Sequence, residues 1–225
     1  MATLFARLGF WQLARRAERR DRNALITQRL GDPPVALAAL PRDTADAHFR
    51  RVLLAGRYDY AHEVAWIDVS REGSPGVHLL TPLLRAGTDT AVLVDRGWVY
   101  APDGMTVNHA QWREADTAAG IGRVQEIGPP RAEAATRTGH PDAIRWFSPD
   151  SIAAWAGYPV APYFVALEGD TSTASFTRPA RTPPPELDEG PHMSYAIQWF
   201  SFAAIAIFGT AVAVFRPPTA LIPLD

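Results

Sequence analysis

The chain predicts an α+β fold: a mainly antiparallel β domain, of meander or barrel-like form and carrying short helices, followed by a C-terminal transmembrane helix. Three observations predict it. The run from Met193 to Phe215 has no charge, and as a helix it reaches about 34 Å, enough to cross a hydrocarbon core of roughly 30 Å. Short segments rich in β-branched and aromatic residues recur between residues 51 and 99, separated by turn residues. Ser148 followed by Pro149 opens a short helical stretch.

Composition fits a domain on an anchor. With 225 residues the chain has room for one core domain plus membrane segments. The net charge of −2 gives no general attraction to nucleic acid, which is not an expected partner. The absence of cysteine excludes disulfides and thiolate metal sites. All 22 basic residues are arginine, which, with abundant Ala and Pro, reads as the codon bias of a GC-rich genome and carries no function.

In chain order, the first apolar piece is interrupted by Arg7 and is too short to cross a bilayer. It has neither the long apolar core nor the cleavage site of a signal peptide. The arginines at 15, 16, 19, 20 and 22 suggest a transit peptide, against which stand Glu18, Asp21 and the lack of serine. A third reading is the tail of a membrane helix that begins upstream. From Leu13 to Leu30 the pattern is helical, with Leu13, Ala17, Ala24 and Leu25 on one face and Glu18 spaced to pair with Arg22. Strands are expected over 51–58, 63–70, 77–84, 91–99 and 162–168, and a helix from Pro149 to about Gly157. Residues 101–147 carry no clear signal. Residues 178–191, rich in proline and with the acids Glu186, Asp188 and Glu189, read as an extended linker.

Four stretches in this order resemble the Surfeit locus protein 1 family. Leu8-Gly9-Phe10-Trp11-Gln12-Leu13-Ala14-Arg15 is similar to the signature that ends the family's first membrane helix. Arg51-Val52 with Gly56 and Tyr58 resembles its first strand. Thr81-Pro82-Leu83 and Val92-Leu93-Val94-Asp95-Arg96-Gly97-Trp98-Val99 resemble its central strand pair. His192 to Phe200 resembles the opening of its second membrane helix, with Pro191 where the family has asparagine.

The resemblance implies a membrane-anchored assembly factor of the haem-copper cytochrome c oxidase that binds haem a and delivers it to the catalytic subunit. The implied partners are that subunit, the haem a synthesis machinery and the lipid bilayer. It also implies that the first apolar piece is a truncated N-terminal membrane helix. The expected organisation is the end of that helix and a basic helix at 1–30, a β-rich extramembrane domain at 31–180, a Pro-rich linker at 181–191, the transmembrane helix at 192–216 and a short tail at 217–225. The implied location is the bacterial plasma membrane, or alternatively the mitochondrial inner membrane, with the main domain on the outer side. Arg216 then lies at the inner end, in keeping with the excess of basic residues there, whereas the arginines at 15–22 lie outside and oppose it.

For chemistry, helical spacing sets His192, Tyr195, Trp199, Phe202, Ala206, Gly209 and Ala213 on one face, Gly209 and Ala213 at the spacing that lets another helix approach. His192 is the candidate metal ligand for haem iron, with Tyr195 and Trp199 as wall or orienting groups. The competing reading makes these three ordinary interfacial anchors. Arg96 is the candidate for a haem propionate. Its alternative is a structural Asp95–Arg96 pair, with Gly97 permitting a tight bend. Trp11, Gln12 and Arg15 are placed to face His192 across a helix pair. No enzyme signature is present: there is no G-x-S-x-G and no P-loop, Gly120-Ile121-Gly122 lacks a third glycine, and His48, His62, His78, His109 and His140 have no metal-ligand spacing. The chain is expected not to be an enzyme. Two alternatives remain: a docking module for the oxidase that never touches haem, and a membrane-tethered hydrolase using Asp and His groups of the β domain.

Overall fold

The computed structural model describes residues 1–41, 43–128, 136–137, 140–173 and 177–216, and the expected tail at 217–225 lies outside them. The chain divides into two units, Met1–Gln28 with Glu186–Asp225, and Arg29–Pro185.

The central unit is a strand-rich sheet that closes on itself. In chain order its elements are β1 (Val35–Ala36), α2 (Thr44–Ala47), β2 (Arg51–Tyr58), β3 (Val64–Arg71), β4 (Ser74–Leu84), β5 (Ala91–Tyr100), β6 (Thr117–Glu126), β7 (Thr136–Arg137), β8 (His140–Ile144), α3 (Pro149–Ala156) and β9 (Val160–Leu167), after α1 (Ala2–Gly31). The strands run in the order β1-β2-β6-β9-β5-β4-β3-β8-β7, and β2 also pairs with β4. That extra pairing, Arg57 with Leu84 and Tyr58 with Leu83, closes β2-β6-β9-β5-β4 into a five-stranded barrel. The pairings are antiparallel except β1 with β2, β3 with β8 and β5 with β9.

Alternation fills the barrel. Val52 and Leu54 of β2, Leu83 of β4, Val92 and Val94 of β5, Val124 of β6 and Val165 of β9 all point inward, and each is buried. A barrel this small bends its strands hard, and two glycines make the bends possible. A Cβ on Gly56 would overlap the Leu84 carbonyl, and one on Gly122 would overlap the Val165 side chain. The outer face is covered at one end by α3, whose Ile152 packs with Val64, Leu80, Leu93 and Phe164. Helix α3 begins as its sequence requires: Ser148 and Ser151 form a reciprocal cap, Pro149 opens the first turn and Gly157 ends it with φ of 79°.

Most expected strands stand within a few residues of the bounds given above. The sequence-silent region holds β6, β7, β8 and a short 3-10 turn, His109–Trp112. The expected linker is shorter than 181–191. Residues 180–183 pack on the sheet: Ala180 bridges Trp98, and Arg181 is buried.

The other unit is a pair of helices, α1 and α4 (His192–Phe215). Helix α4 is the one helix among the described residues long and apolar enough to cross a membrane, and its flank of Ile205, Ile207, Phe208 and Val214 is exposed. Helix α1 is continuous over 30 residues, but its apolar part is interrupted by Arg7 and ends at Arg15. Its packed face is Gly9, Gln12 and Ile26 rather than Leu13, Ala17, Ala24 and Leu25. Glu18 pairs at 2.6 Å with Arg15, one turn before it, rather than with the expected Arg22, one turn after it.

Barrel closure gives a direct test on one strand. Gly122→Val is expected to destabilise the central unit by about 1–3 kcal/mol through overpacking. Gly120→Val, two residues away where the nearest atom to a Cβ is an ordinary 3.5 Å contact, should change little. Urea midpoints of the two variants would coincide if the strands did not close at Gly122.

Candidate functional site

His192 opens α4, and the helix pair fixes its ring. Its Nδ1 lies 2.7 Å from Oε1 of Gln12, a buried residue of α1. An amide oxygen only accepts, so Nδ1 is the donor, and in the neutral ring this leaves the lone pair on Nε2. Gly190, in the left-handed region with φ of 67°, lies beside Nε2: a Cβ there would sit 3.5 Å from it. That distance is an ordinary contact, so it is the left-handed backbone rather than space that calls for glycine here. Pro191 is the N-cap of α4 and supplies no side-chain cap.

The two helices run antiparallel, as their contacts show. Arg16 donates to Glu189 at 2.7 Å, Gln12 meets His192, Phe10 packs edge-on against Phe200 at 5.2 Å, and Phe5 stacks on Trp199 at 5.9 Å. Phe202 completes a triangle with Phe5 and Trp199. Close approach depends on small residues: a Cβ on Gly9 would sit 2.6 Å from the Phe200 ring, and Ala196 and Ala203 are buried.

The contact face of α4 therefore differs from the expected one. It runs through His192, Ala196, Trp199, Phe200 and Ala203. Gly209 has nothing within 4 Å of a Cβ, and Ala213 is exposed. Tyr195 is exposed, and the hydrogen bond that orients His192 comes from Gln12. Of the three α1 residues expected to face His192, Gln12 does, Trp11 is exposed and Arg15 turns to Glu18.

Arg96 belongs to the other unit, in a β-bulge. Leu80 pairs with Asp95 and His78 with Trp98, so Arg96 and Gly97 together face one residue of β4. Gly97 has φ of 120°, and a Cβ on it would strike the Ala180 carbonyl. The bulge aims Arg96 into the interior, where it is 0% exposed. Its guanidinium donates to Glu63 at 2.5 Å, to Glu114 at 3.0 Å and to the Trp112 carbonyl, and its Cζ lies 4.9 Å from the Tyr60 ring centre. These partners leave it no edge for a propionate. The alternative Asp95–Arg96 pair does not form either. Asp95 faces His78 at 3.0 Å, the Gly97 amide and the Thr182 hydroxyl.

The network is larger than the sequence suggested. Arg181 donates to Glu114 at 2.5 Å and to the Arg96 carbonyl, Thr81 donates to Glu63, and His109 bridges Glu63 at 2.8 Å and Asp142 at 3.2 Å. Nothing in residue spacing announces these partners, which lie on different strands and loops. The one usable signal is a charged pair, Asp95-Arg96, inside an otherwise apolar strand run.

Burial alone would raise the Glu63 and Asp95 pKa values. For Glu63 the His109 hydrogen bond and the Arg96 charge outweigh it, and for Asp95 the His78 charge and hydrogen bond do, so both fall below the usual carboxylate range. Burial would lower His78 and His109, but Asp95 raises the first and Glu63 with Asp142 raises the second above the ordinary 6.5.

The signs give a stability window. The carboxylate contributions are present above the ordinary value of 4.5 for Glu63 and are lost as pH falls through its depressed folded value. The histidine contributions are full below 6.5 and are lost as pH rises through the raised values. The thermal midpoint of the central unit should therefore fall as pH is raised from about 6.5 toward 9. Combining His78→Asn with His109→Asn should flatten that slope while lowering the midpoint throughout, and an unchanged slope would rule out this origin. Arg96→Met takes the buried cation from Glu63 and Glu114 and leaves Glu63 only His109 as a charge partner, for an expected cost of about 3–5 kcal/mol by urea unfolding. A cost under about 1 kcal/mol would show that the network tolerates the loss.

Residues 1–204 match the SURF1 family. An uncharacterised SURF1-like protein of Mycobacterium tuberculosis is 30% identical over 211 residues, covering 91% of this chain and 76% of its own length. A SURF1-like protein of Monosiga brevicollis is 27% identical over 221 residues, covering 89% and 79%. The Saccharomyces cerevisiae protein named cytochrome oxidase assembly protein SHY1 is 30% identical over 108 residues, covering 45% of this chain and 28% of its own.

Proposed function

The chain belongs to the SURF1 family, and on that premise we propose that it is a membrane-anchored factor in the assembly of cytochrome oxidase, working by holding haem a at His192 and passing it to the catalytic subunit. The observation that carries the haem part is the state of His192: Nδ1 tied to a buried glutamine, with glycine beside Nε2. Haem would supply an iron able to bind a nitrogen ligand and a flat apolar surface that needs a wall. His192 provides the nitrogen. Gln12 holds the tautomer and the ring plane, as outer partners of metal-bound histidines commonly do. Trp199 and Tyr195 are the aromatic groups on the same end of α4, within two turns of His192.

In this reading α4 spans the bilayer, and His192 sits at its entry, where a membrane-soluble cofactor would arrive. Its exposed isoleucines, valines and phenylalanines suit lipid better than water. Helix α1 serves as the partner that fixes His192 through Gln12. The central domain lies on the outer side of a bacterial plasma membrane, or of the mitochondrial inner membrane, and offers its surface to the oxidase subunit and to the enzymes that make haem a. Arg96 has no part in haem binding, since carboxylates and a carbonyl already hold its guanidinium.

The test is the absorption spectrum of the full chain purified from a host that makes haem a. His192→Ala should abolish the haem bands while leaving the unfolding transition of the central unit in place. Gln12→Leu should keep the ligand but lower haem affinity by about 10–100-fold, the range seen when an orienting partner is lost. Trp199→Ala should weaken retention less than His192→Ala. Equal haem content in wild type and His192→Ala would discard the ligand assignment and leave a docking role.

A further inference from the structure

A hollow on the outer face of the barrel contains a cation that no carboxylate among the described residues pairs with. Arg123 of β6 is 2% exposed. Its Nη2 donates to the Pro183 carbonyl at 3.0 Å, and its buried Nε has no partner among the described residues. Glu168 and Asp95 act on it through space, but Glu168 pairs with Arg51 at 3.0 Å and Asp95 with His78. Leaving a guanidinium buried with one carbonyl for company is costly.

Arg123 lines a trough of about 320 Å³ whose other walls include Phe49, Trp66, His78, Asp95 and Phe164. Apart from Phe49, which lies between α2 and β2, these residues come from β3, β4, β5, β6 and β9, which lie side by side in the sheet. The extended segment around Pro183 covers one side. A second hollow of about 330 Å³, walled by Phe147, adjoins it across Trp66, Gln125 and Phe164, which line both. One end therefore presents an unpaired guanidinium and the other presents aromatic rings.

We propose that this trough binds a carboxylate amphiphile, a molecule with one carboxylate and an apolar or aromatic body, with the carboxylate on Arg123 and the body between Trp66 and Phe164. Three features select that class. A guanidinium edge matches a carboxylate in planar geometry and donor spacing. The neighbouring Asp95 disfavours a more highly charged group such as a phosphate monoester. The volume is at the low end for ligand pockets and suits a body of about ten heavy atoms. The site lies in the central unit and does not depend on the reading of His192.

Such a carboxylate comes either from the bilayer, as a fatty acid, or from solution, as an aromatic acid. The test is equilibrium dialysis of radiolabelled decanoate and 4-phenylbutyrate against the full chain in lipid nanodiscs, with empty nanodiscs subtracted. One saturable site is expected for at least one of the two. Tighter decanoate points to the bilayer source and tighter 4-phenylbutyrate to the soluble one. The neutral analogue 4-phenylbutanol should bind at least tenfold more weakly. Arg123→Gln should reduce carboxylate binding at least tenfold. Val69→Trp, at a partly exposed position lining the trough, should reduce it without touching Arg123, which keeps the test open if Arg123→Gln fails to fold. No saturable binding to the wild-type chain, or equal affinity for 4-phenylbutanol, overturns the proposal.

Discussion

The central unit depends on one buried cation. Arg96 ties together segments that no continuous hydrogen-bond ladder joins: Glu63 at the start of β3, Trp112 in the turn before β6, and Glu114 just after it. Through Glu114 and its own carbonyl it also reaches Arg181, so the chain leaving β9 is bound to the same knot. A charge with no solvent exposure survives only if every donor is answered. Here the answers come from loops and strand ends, which apolar packing alone would leave without a defined path. The bulge at Arg96 and Gly97 is part of the same device. It turns the side chain inward while Gly97 lets the Ala180 segment pass close by.

The helix pair is held by different means. It has few charges along its apolar length, and the contact rests on small residues, Gly9 with Ala196 and Ala203, and on interlocked rings. Polar contacts gather at one end, where the acidic residues before α4 meet the arginines of α1: Glu189 with Arg16 and Arg20, Asp188 with Arg19 and, through its carbonyl, Asn23. The exposed pairs among these contribute little energy singly, but they fix which residues of α1 lie opposite His192. Gln12, one turn before Arg16, is thereby brought to the imidazole. Position along the helix, set by charge at one end and by glycine in the middle, determines the tautomer of a single ring.

Local chemistry was legible where it was strong. The β2 bounds, the capped α3 and the apolar α4 could be read because Val, Ile and aromatic alternation, a Ser-Pro start and an uncharged run each depend on neighbouring residues alone. Strand β6 escaped because its sequence, with Ala118, Ala119, Gly120 and Gly122, reads as weak strand. Those small residues answer a tertiary demand, since Gly122 lies against Val165 of a strand more than forty residues later. The site shows the same division. His192 and Gln12 were visible as polar residues at the boundaries of apolar helices. The partners of Arg96 and the isolation of Arg123 were not, because each is defined by groups distant in sequence. The α4 face was misplaced by about one residue in its turn, enough to exchange Tyr195 for Ala196 at the contact.

Histidine–carboxylate pairs recur in the central unit: His78 with Asp95, His109 with Glu63, and His62 with Asp59. Each has the form of a base with its orienting acid, the half of a catalytic set that a hydrolase reading would call on. What would complete the set is a nucleophile on the open ring nitrogen. In the trough beside His78 the one hydroxyl side chain is Thr182, and it donates its proton to Asp95 rather than to the imidazole. Moreover, Asp95 raises the His78 pKa, so the ring spends more of the neutral range as a cation and less as a base. Around His109 both ring nitrogens are already engaged, by Glu63 and Asp142. The His78 and His109 pairs therefore act as charge partners within the fold. The imidazole at the head of α4 is oriented instead by a neutral amide, and Arg123 is a cation with a buried, unanswered donor among the described residues, so these two groups are the ones left to make binding contacts.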